Sequence, residues 1–349
     1  FQRLAVTAEI ELGADARPTR THFYRSRIRS DARLDYEQLD RVFDGREEPP
    51  AAVAEPLAAA RDVAAALGEH RGATSLDVES AEPEFEFDAD GNVAAAHRVP
   101  QTEAHRLIER LMVFTNERVA EFLVDRRVPA VYRVHAQPDP PRIERLLEQL
   151  AALGVPTPPL GQGLSPRSAG QMAADASRLV RQEAARRGHG RDAYTSLVLR
   201  SLKQAAYSEV NSGHAGLGSD AYTHFTSPIR RYPDLLVHRA LLAELGEGEE
   251  APTLSEAREV ASHSSAQERE SAKIERDADD VCAAYLLERE LGERGLDAEF
   301  DGEVSGVIRA GAFVAFGGEL GDVYEGRLPA RTLPGGRYEL DRNEVKAPF

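Results

Sequence analysis

The sequence predicts an α+β chain that ends in the beginning of a small antiparallel barrel. Three observations carry this. Near the start, Leu4, Val6, Ala8, Ile10 and Leu12 alternate with polar residues, the two-residue period of a half-buried strand. Between Tyr36 and Arg294, long stretches repeat their apolar residues at helical spacing. Beyond Gly295 the texture changes to short alternating runs broken by glycine, such as Gly311-Ala312-Phe313-Val314-Ala315-Phe316, as in a small curved sheet.

The elements follow in order. After a Gly13–Ala16 turn, Thr21–Ile28 reads as a second strand pairing with the first. Tyr36–Phe43 and the alanine-rich Ala51–Leu67 are helix-prone, and Glu84–His97 reads as a hairpin about Asp90-Gly91. From Thr102, the spacing of Leu107, Ile108, Leu111, Met112, Val119 and Phe122 predicts a helix of roughly six turns. Proline-rich breaks then frame helices over Ile143–Leu153, Arg167–Arg187 and Asp192–Ala206. The Gly-, Ser- and Thr-rich Gly216–Thr226 is a loop. Ser227 as N-cap and Pro228 at the first helical position predict a helix to about Leu245. A last long helix runs from Leu254 to Arg294, where Gly295 stops it. The tail holds roughly three strands, short of the five of an OB-type barrel, so the barrel is expected to be incomplete at Phe349. The start at Phe1 is expected to fall inside a strand.

The 349 residues are enough for about two domains. No apolar run approaches the roughly 18 residues of a membrane span. One cysteine, Cys282, excludes an intrachain disulfide and a thiolate metal site, suits a reducing cytoplasm and reads as packing. With 43 basic and 59 acidic residues the net charge is −16, which taken alone argues against a nucleic-acid partner. The sum is not the distribution, however, since a cationic groove can lie within an acidic shell. Much of the acidity is a solvated helix face in Ser255–Arg294.

The most informative run is His214-Ala215-Gly216-Leu217-Gly218-Ser219-Asp220-Ala221-Tyr222-Thr223-His224-Phe225-Thr226-Ser227-Pro228-Ile229-Arg230-Arg231-Tyr232-Pro233-Asp234. It delivers small and hydroxyl residues to a helix N-terminus, where free N–H groups and the helix dipole favour an anion. Arg230 and Arg231 in that first turn oppose the dipole, so a bound anion or an ion pair would account for them. The plainer alternative is a capped helix with solvated arginines.

From Tyr222 to Arg239 this run resembles the signature of the RNase II / RNase R (RNB) family. The resemblance covers nearly the whole chain. Phe23-Tyr24 and Ser30-x-x-Arg33-Leu34-x-Tyr36 resemble the early part of the family domain, and Ala104–Glu109 with Asn116 its central helix. Arg133-Val134-His135 and Glu275-Arg276-Asp277 also match, and the terminal stretch resembles the barrel that follows. The resemblance implies an RNB catalytic fold, a mixed β-sheet packed with helices, over 1–294. It implies the start of an OB-type RNA-binding barrel over 295–349.

The activity implied is processive 3′→5′ hydrolysis of single-stranded RNA to nucleoside 5′-monophosphates with Mg²⁺, by a cytoplasmic protein expected to be a monomer. Arg230 corresponds to an arginine on the scissile phosphate. Tyr36 corresponds to a tyrosine near the scissile nucleotide and Glu109 to a glutamate that reads the ribose 2′-OH with it, a chemically apt pair for a hydroxyl that DNA lacks. Glu275 corresponds to a glutamate near the nucleotide end, and Thr226, Ser227 and Arg231 are further candidates for substrate binding. Read singly, Tyr36 is a packing tyrosine and Glu109 a surface charge. His135, His224 and His238 lack metal spacing and read as hydrogen-bonded structural residues.

Two departures stand out. The family's cluster of metal-holding aspartates has no counterpart in this sequence, so no metal ligand is assigned here and the Mg²⁺ ligands are expected upstream of Phe1. Asp277, Asp279 and Asp280 do not share a helix face and are no substitute. Leu76 falls near where some relatives place an aromatic that stacks on a base. The alternatives to a hydrolase are an inactive RNA-binding relative of the same fold and an acidic protein-interaction module.

Overall fold

The computed structural model describes residues 2–72, 75–76, 83–98, 100–158, 163–317 and 323–332. Its elements are β1 (Gln2–Leu12), β2 (Pro18–Arg29), α1 (Tyr36–Phe43), α2 (Ala54–Arg71), β3 (Pro83–Phe87), β4 (Val93–Arg98), α3 (Glu103–Arg126), β5 (Tyr132–Val134), α4 (Pro140–Ala152), α5 (Pro166–Arg187), α6 (Arg191–Ser201), β6 (Ala206–Ser208), α7 (Tyr232–Glu244), α8 (Leu254–Arg294), β7 (Gly302–Ile308), β8 (Gly311–Phe316) and β9 (Tyr324–Pro329). They form two compact units. The first comprises Phe1–Ser75, Gln101–Ala136 and Gln204–Gln267, and the second Leu76–Pro100, Gln137–Lys203 and Glu268–Phe349.

In the first unit, β1 and β2 pair antiparallel from Gln2–Arg29 to Leu12–Pro18. Phe23 of β2 enters a core with Val119, Ala120 and Leu123 of α3, Phe225 of the loop, and Val237, Ala240 and Leu241 of α7. Burying Leu123 and Leu241 completely contributes roughly 1.5 to 3 kcal/mol each, so α3 is fixed mainly by its apolar face. Strands β5 and β6 pair antiparallel. A parallel bridge joins His135 to His214, which also bridges antiparallel to Ser219. Leu236 of α7 packs on Val131, Tyr207 and the first turns of α8 at Ala257 and Ala261.

In the second unit, Ile143, Leu146, Leu147 and Leu150 line one face of α4 at the i, i+3, i+4, i+7 spacing and are all nearly or fully buried. They meet small residues of α5, Ala169, Ala173 and Ala176, which let the helices approach closely. Helix α5 has its N-cap in Ser165, whose side chain accepts from the Ser168 N–H at 3.1 Å, and ends at Gly188 with φ +75°. Strands β7, β8 and β9 form one antiparallel sheet in that order. Cys282 packs beside Leu286 and Tyr324, as expected of a packing cysteine. Leu76 packs against the α4–α6 core, so its side chain serves packing.

Two sequence expectations need correction. The helix predicted over Asp192–Ala206 ends at Ser201, and Ala206–Ser208 is strand β6 instead. Pairing with β5 overrides the helical propensity of the alanines there. The helix predicted to begin at Ser227-Pro228 begins at Tyr232. Pro228–Arg230 is a single turn in which the N–H groups of Arg230 and Arg231 donate to the Ser227 carbonyl at 3.3 and 3.2 Å. It cannot continue, because Pro233 would have to donate to the Ile229 carbonyl and has no N–H to do so. Pro233 instead sits within the first two positions of α7, where prolines are tolerated.

Candidate active site

The Tyr222–Pro233 segment is held from α3. Asn116, 2% exposed, uses both ends of its amide. Its Nδ2 donates to the Tyr222 hydroxyl at 3.1 Å and its Oδ1 accepts the Phe225 N–H at 3.0 Å. Thr223 donates its hydroxyl to the Val131 carbonyl at 2.6 Å, and the His238 ring stacks on Phe225 while its Nε2 bonds the Phe225 carbonyl at 2.9 Å. One residue along α3, Glu117 receives Arg71 at 2.5 Å and the Ser219 hydroxyl, fixing the other side of the loop.

Asp234 organises the turn that follows. It is fully buried, at the third position of α7, and its Oδ1 accepts from the Ser227 N–H at 2.8 Å and from Arg231 Nη2 at 2.9 Å. A carboxylate is favoured there by the helix dipole. The anion at this helix N-terminus is therefore the chain's own Asp234, and the ion pair accounts for Arg231. This corrects the placement of both arginines in the first helical turn: Arg231 is the N-cap residue and Arg230 precedes it. Arg230 is exposed, and its side chain has no hydrogen bond or ion pair among the described residues. Three buried polar atoms nearby, Thr226 Oγ1, Arg231 Nε and Asp234 Oδ2, have no hydrogen-bond partner.

The same helix carries the other group. Tyr36, the first residue of α1, stacks on His105 of α3 with ring centroids 3.9 Å apart and planes 21° apart. The His105 Nδ1 bonds Thr102 Oγ1 at 2.7 Å, which fixes the ring. Glu109 is exposed one turn along the same face from His105. Residues 105, 109 and 116 lie within a narrow stripe spanning about 16 Å of α3. One helix face thus runs from the Tyr36–His105 stack through Glu109 to the amide that holds the arginine-bearing loop. Sequence reading missed the His105 stack. Its signal was the Thr102-x-x-His105 spacing and the i, i+4 relation to Glu109. Glu275 lies on α8 in the second unit, exposed and unpaired among the described residues.

Residues 2–247 match the RNB domain. The chain belongs to this family. Ribonuclease R 1 of Lactococcus lactis is 30% identical over 346 residues, covering 96% of this chain and 40% of that protein. Ribonuclease R of Aquifex aeolicus is 34% identical over 353 residues, covering 97% and 46%. The chain thus spans less than half the length of these curated relatives. The structure of Mycoplasma genitalium RNase R in complex with ribose methylated single-stranded RNA shares the fold, with a TM-score of 0.85 at 24% identity over 99% of this chain and 53% of that one.

RNB ribonucleases are metal-dependent. Among the described residues of this RNB chain, no three His, Cys, Asp or Glu side chains stand where they could share a metal ion. The described residues do not fit a metal centre. Among the described residues no helix is long and apolar enough to cross a membrane.

The RNB loop is lined by neutral imidazoles. His224 Nδ1 bonds the Tyr207 hydroxyl at 2.9 Å, and His135 and His214 accept the N–H groups of Gly216 and Leu217 at 3.1 and 3.2 Å. Burial pushes the pKa of His214 down to about 3 and that of His224 to about 2, with nearby arginines adding to both. An unfolded histidine titrates near 6.5. As pH falls through that value the unfolded chain gains protons that native His214 and His224 refuse, so stability is full above about 6.5 and is lost towards acid. Each histidine is expected to lower the folding constant by up to about tenfold per pH unit. Urea unfolding at pH 7 and 5.5 measures this, and His224→Asn should flatten the dependence. A midpoint that does not move with pH would contradict buried neutral rings.

Proposed function

We propose that this chain belongs to a 3′→5′ exoribonuclease that hydrolyses single-stranded RNA processively to nucleoside 5′-monophosphates in RNA decay and processing. The observation that carries this reading is Arg230, a solvent-facing guanidinium without an ion-pair partner among the described residues, on a turn tied down by buried Asp234. Such a turn presents a fixed cation to a phosphate. Thr226, Ser227 and Arg231 shape the turn, and Tyr36 with Glu109 reads the ribose. Glu275 is proposed to meet the nucleotide end. On this reading residues 1–294 are catalytic and 295–349 begin an OB-type RNA-binding barrel, in a monomeric cytoplasmic protein.

Mg²⁺ is the proposed cofactor, held by carboxylates supplied from outside these residues. The full-length protein is expected to degrade single-stranded RNA from its 3′ end only with Mg²⁺, and the 349 residues alone are expected not to. Gel analysis of labelled oligonucleotides with Mg²⁺ or chelator checks both. Efficient hydrolysis by the purified 349-residue chain would overturn the placement of the metal. RNA binding without hydrolysis by the full-length protein would make it an inactive relative.

The ribose assignment has its own test. Tyr36→Phe combined with Glu109→Ala in the full-length protein is expected to erode the preference for RNA over DNA more than RNA affinity. Cleavage of matched RNA and DNA oligonucleotides gives the ratio. An unchanged ratio removes both residues from the site.

A further inference from the structure

Two contacts join α1 to α3, and only one of them is needed to dock the helices. Asp35 caps α1, its side chain accepting the Gln38 N–H at 2.8 Å, which fixes the backbone from which Tyr36 projects. One turn along α1, Asp40 Oδ1 accepts the Ala104 N–H at 3.2 Å, so a carboxylate of α1 meets a free donor in the first turn of α3. This bond holds the helices together whether or not the Tyr36 and His105 rings meet.

The ring stack is additional, and it is not a buried packing pair. Tyr36 is 43% exposed and His105 is half-buried. A tyrosine so open to water at the first position of a helix would otherwise turn among its rotamers. Lying face to face with the imidazole restricts it. The imidazole is itself fixed. Thr102, the N-cap of α3, makes no side-chain cap bond, and because Asp40 meets the Ala104 N–H its hydroxyl is left to bond His105 Nδ1. Glu109 lies one turn beyond His105, about 6 Å along the helix axis. The Tyr36 hydroxyl and the Glu109 carboxylate have no hydrogen bond or ion pair among the described residues, so both remain open to a ligand.

We propose that His105 is a positioning residue for sugar recognition, holding the Tyr36 phenol beside Glu109 so that the pair meets a 2′-OH already ordered. The inference rests on the ribose reading of Tyr36 and Glu109 given above. A free phenol that had to be ordered by the substrate would weaken the contact, whereas a ring already in place does not. A strand that lacks the hydroxyl gains nothing from the arrangement. Loss of the imidazole therefore falls on RNA and spares DNA, although His105 itself touches neither.

Single-turnover cleavage of matched RNA and DNA oligonucleotides by the full-length protein tests this. The RNA-to-DNA ratio does not depend on how much of a variant folds, because both rates scale with the active fraction. His105→Ala is expected to lower the ratio about three- to tenfold, the range that an aromatic pair supplies. His105→Phe, which keeps a flat ring, is expected to stay within about twofold of the parent. In a Tyr36→Ala background, His105→Ala is expected to change nothing further, since it acts through Tyr36. A parental ratio in His105→Ala, while Tyr36→Phe combined with Glu109→Ala lowers it, overturns the positioning role and leaves the ribose reading standing. Parental ratios in both overturn the two together. A further fall in the Tyr36→Ala background, or a ratio as low in His105→Phe as in His105→Ala, also overturns the role, because His105 would then act other than by stacking on Tyr36.

Discussion

Replacing Arg230 with alanine in the full-length protein is expected to slow single-turnover RNA cleavage by about 100- to 1,000-fold, while RNA affinity changes far less. Charge on the phosphate oxygens grows as the nucleophile attacks, and a guanidinium already in place donates to it without reorganisation. Arg230→Lys should recover little, since a point charge does not reproduce the planar fork. Because Arg230 is exposed and unpaired among the described residues, its loss should leave stability within about 0.5 kcal/mol. If Arg230→Ala cleaves at near the parent rate but binds weakly, Arg230 is a tether along the RNA path and the transition-state assignment is wrong.

Its neighbour should behave in the opposite way. Arg231→Ala is expected to destabilise the fold by about 3 kcal/mol, because it leaves the carboxylate of Asp234 buried with only the Ser227 N–H to meet Oδ1. The lower end of the range for broken buried pairs applies, since the Arg231 side chain is 22% exposed whereas that of Asp234 is 0% exposed. Urea unfolding of Arg231→Ala, Asp234→Asn and the double variant gives the coupling between them. A single variant as stable as the parent would mean that the pair does not hold the turn.

These adjacent arginines also show where a sequence stops being legible. The long helices were readable because of their punctuation: Pro140 at the first position of α4, Ser165 as N-cap with Pro166 at the first position of α5, and Gly295 after α8. The strand–turn–strand at the start was readable from alternation alone. The start of α7 was not, because two prolines competed for it. What decides between them is Pro233's missing N–H together with Asp234, a residue buried by tertiary packing. The end of α6 was misjudged for a related reason, since only the partner strand makes Ala206–Ser208 extended. Tyr36 and Glu109 were legible through resemblance and not through local pattern. The stack of Tyr36 on His105, one turn before Glu109, is a tertiary contact that forms once α1 lies on α3.

The interleaving of the two compact units bears on how the chain comes off the ribosome. The polypeptide passes between them at 75/76, 100/101, 136/137, 203/204 and 267/268. Domains usually mature one after another during synthesis, the first being complete before the second emerges. That order is closed to this chain. The first unit needs the segment Gln204–Gln267, and by then two of the second unit's three segments have already been made. Helices α4, α5 and α6 pack on one another within one contiguous segment, but the apolar face of α3 must wait for α7, which follows the arginine-bearing loop. The nascent chain therefore exposes that face of α3 until α7 emerges, a window for holding chaperones that two end-to-end domains would not create.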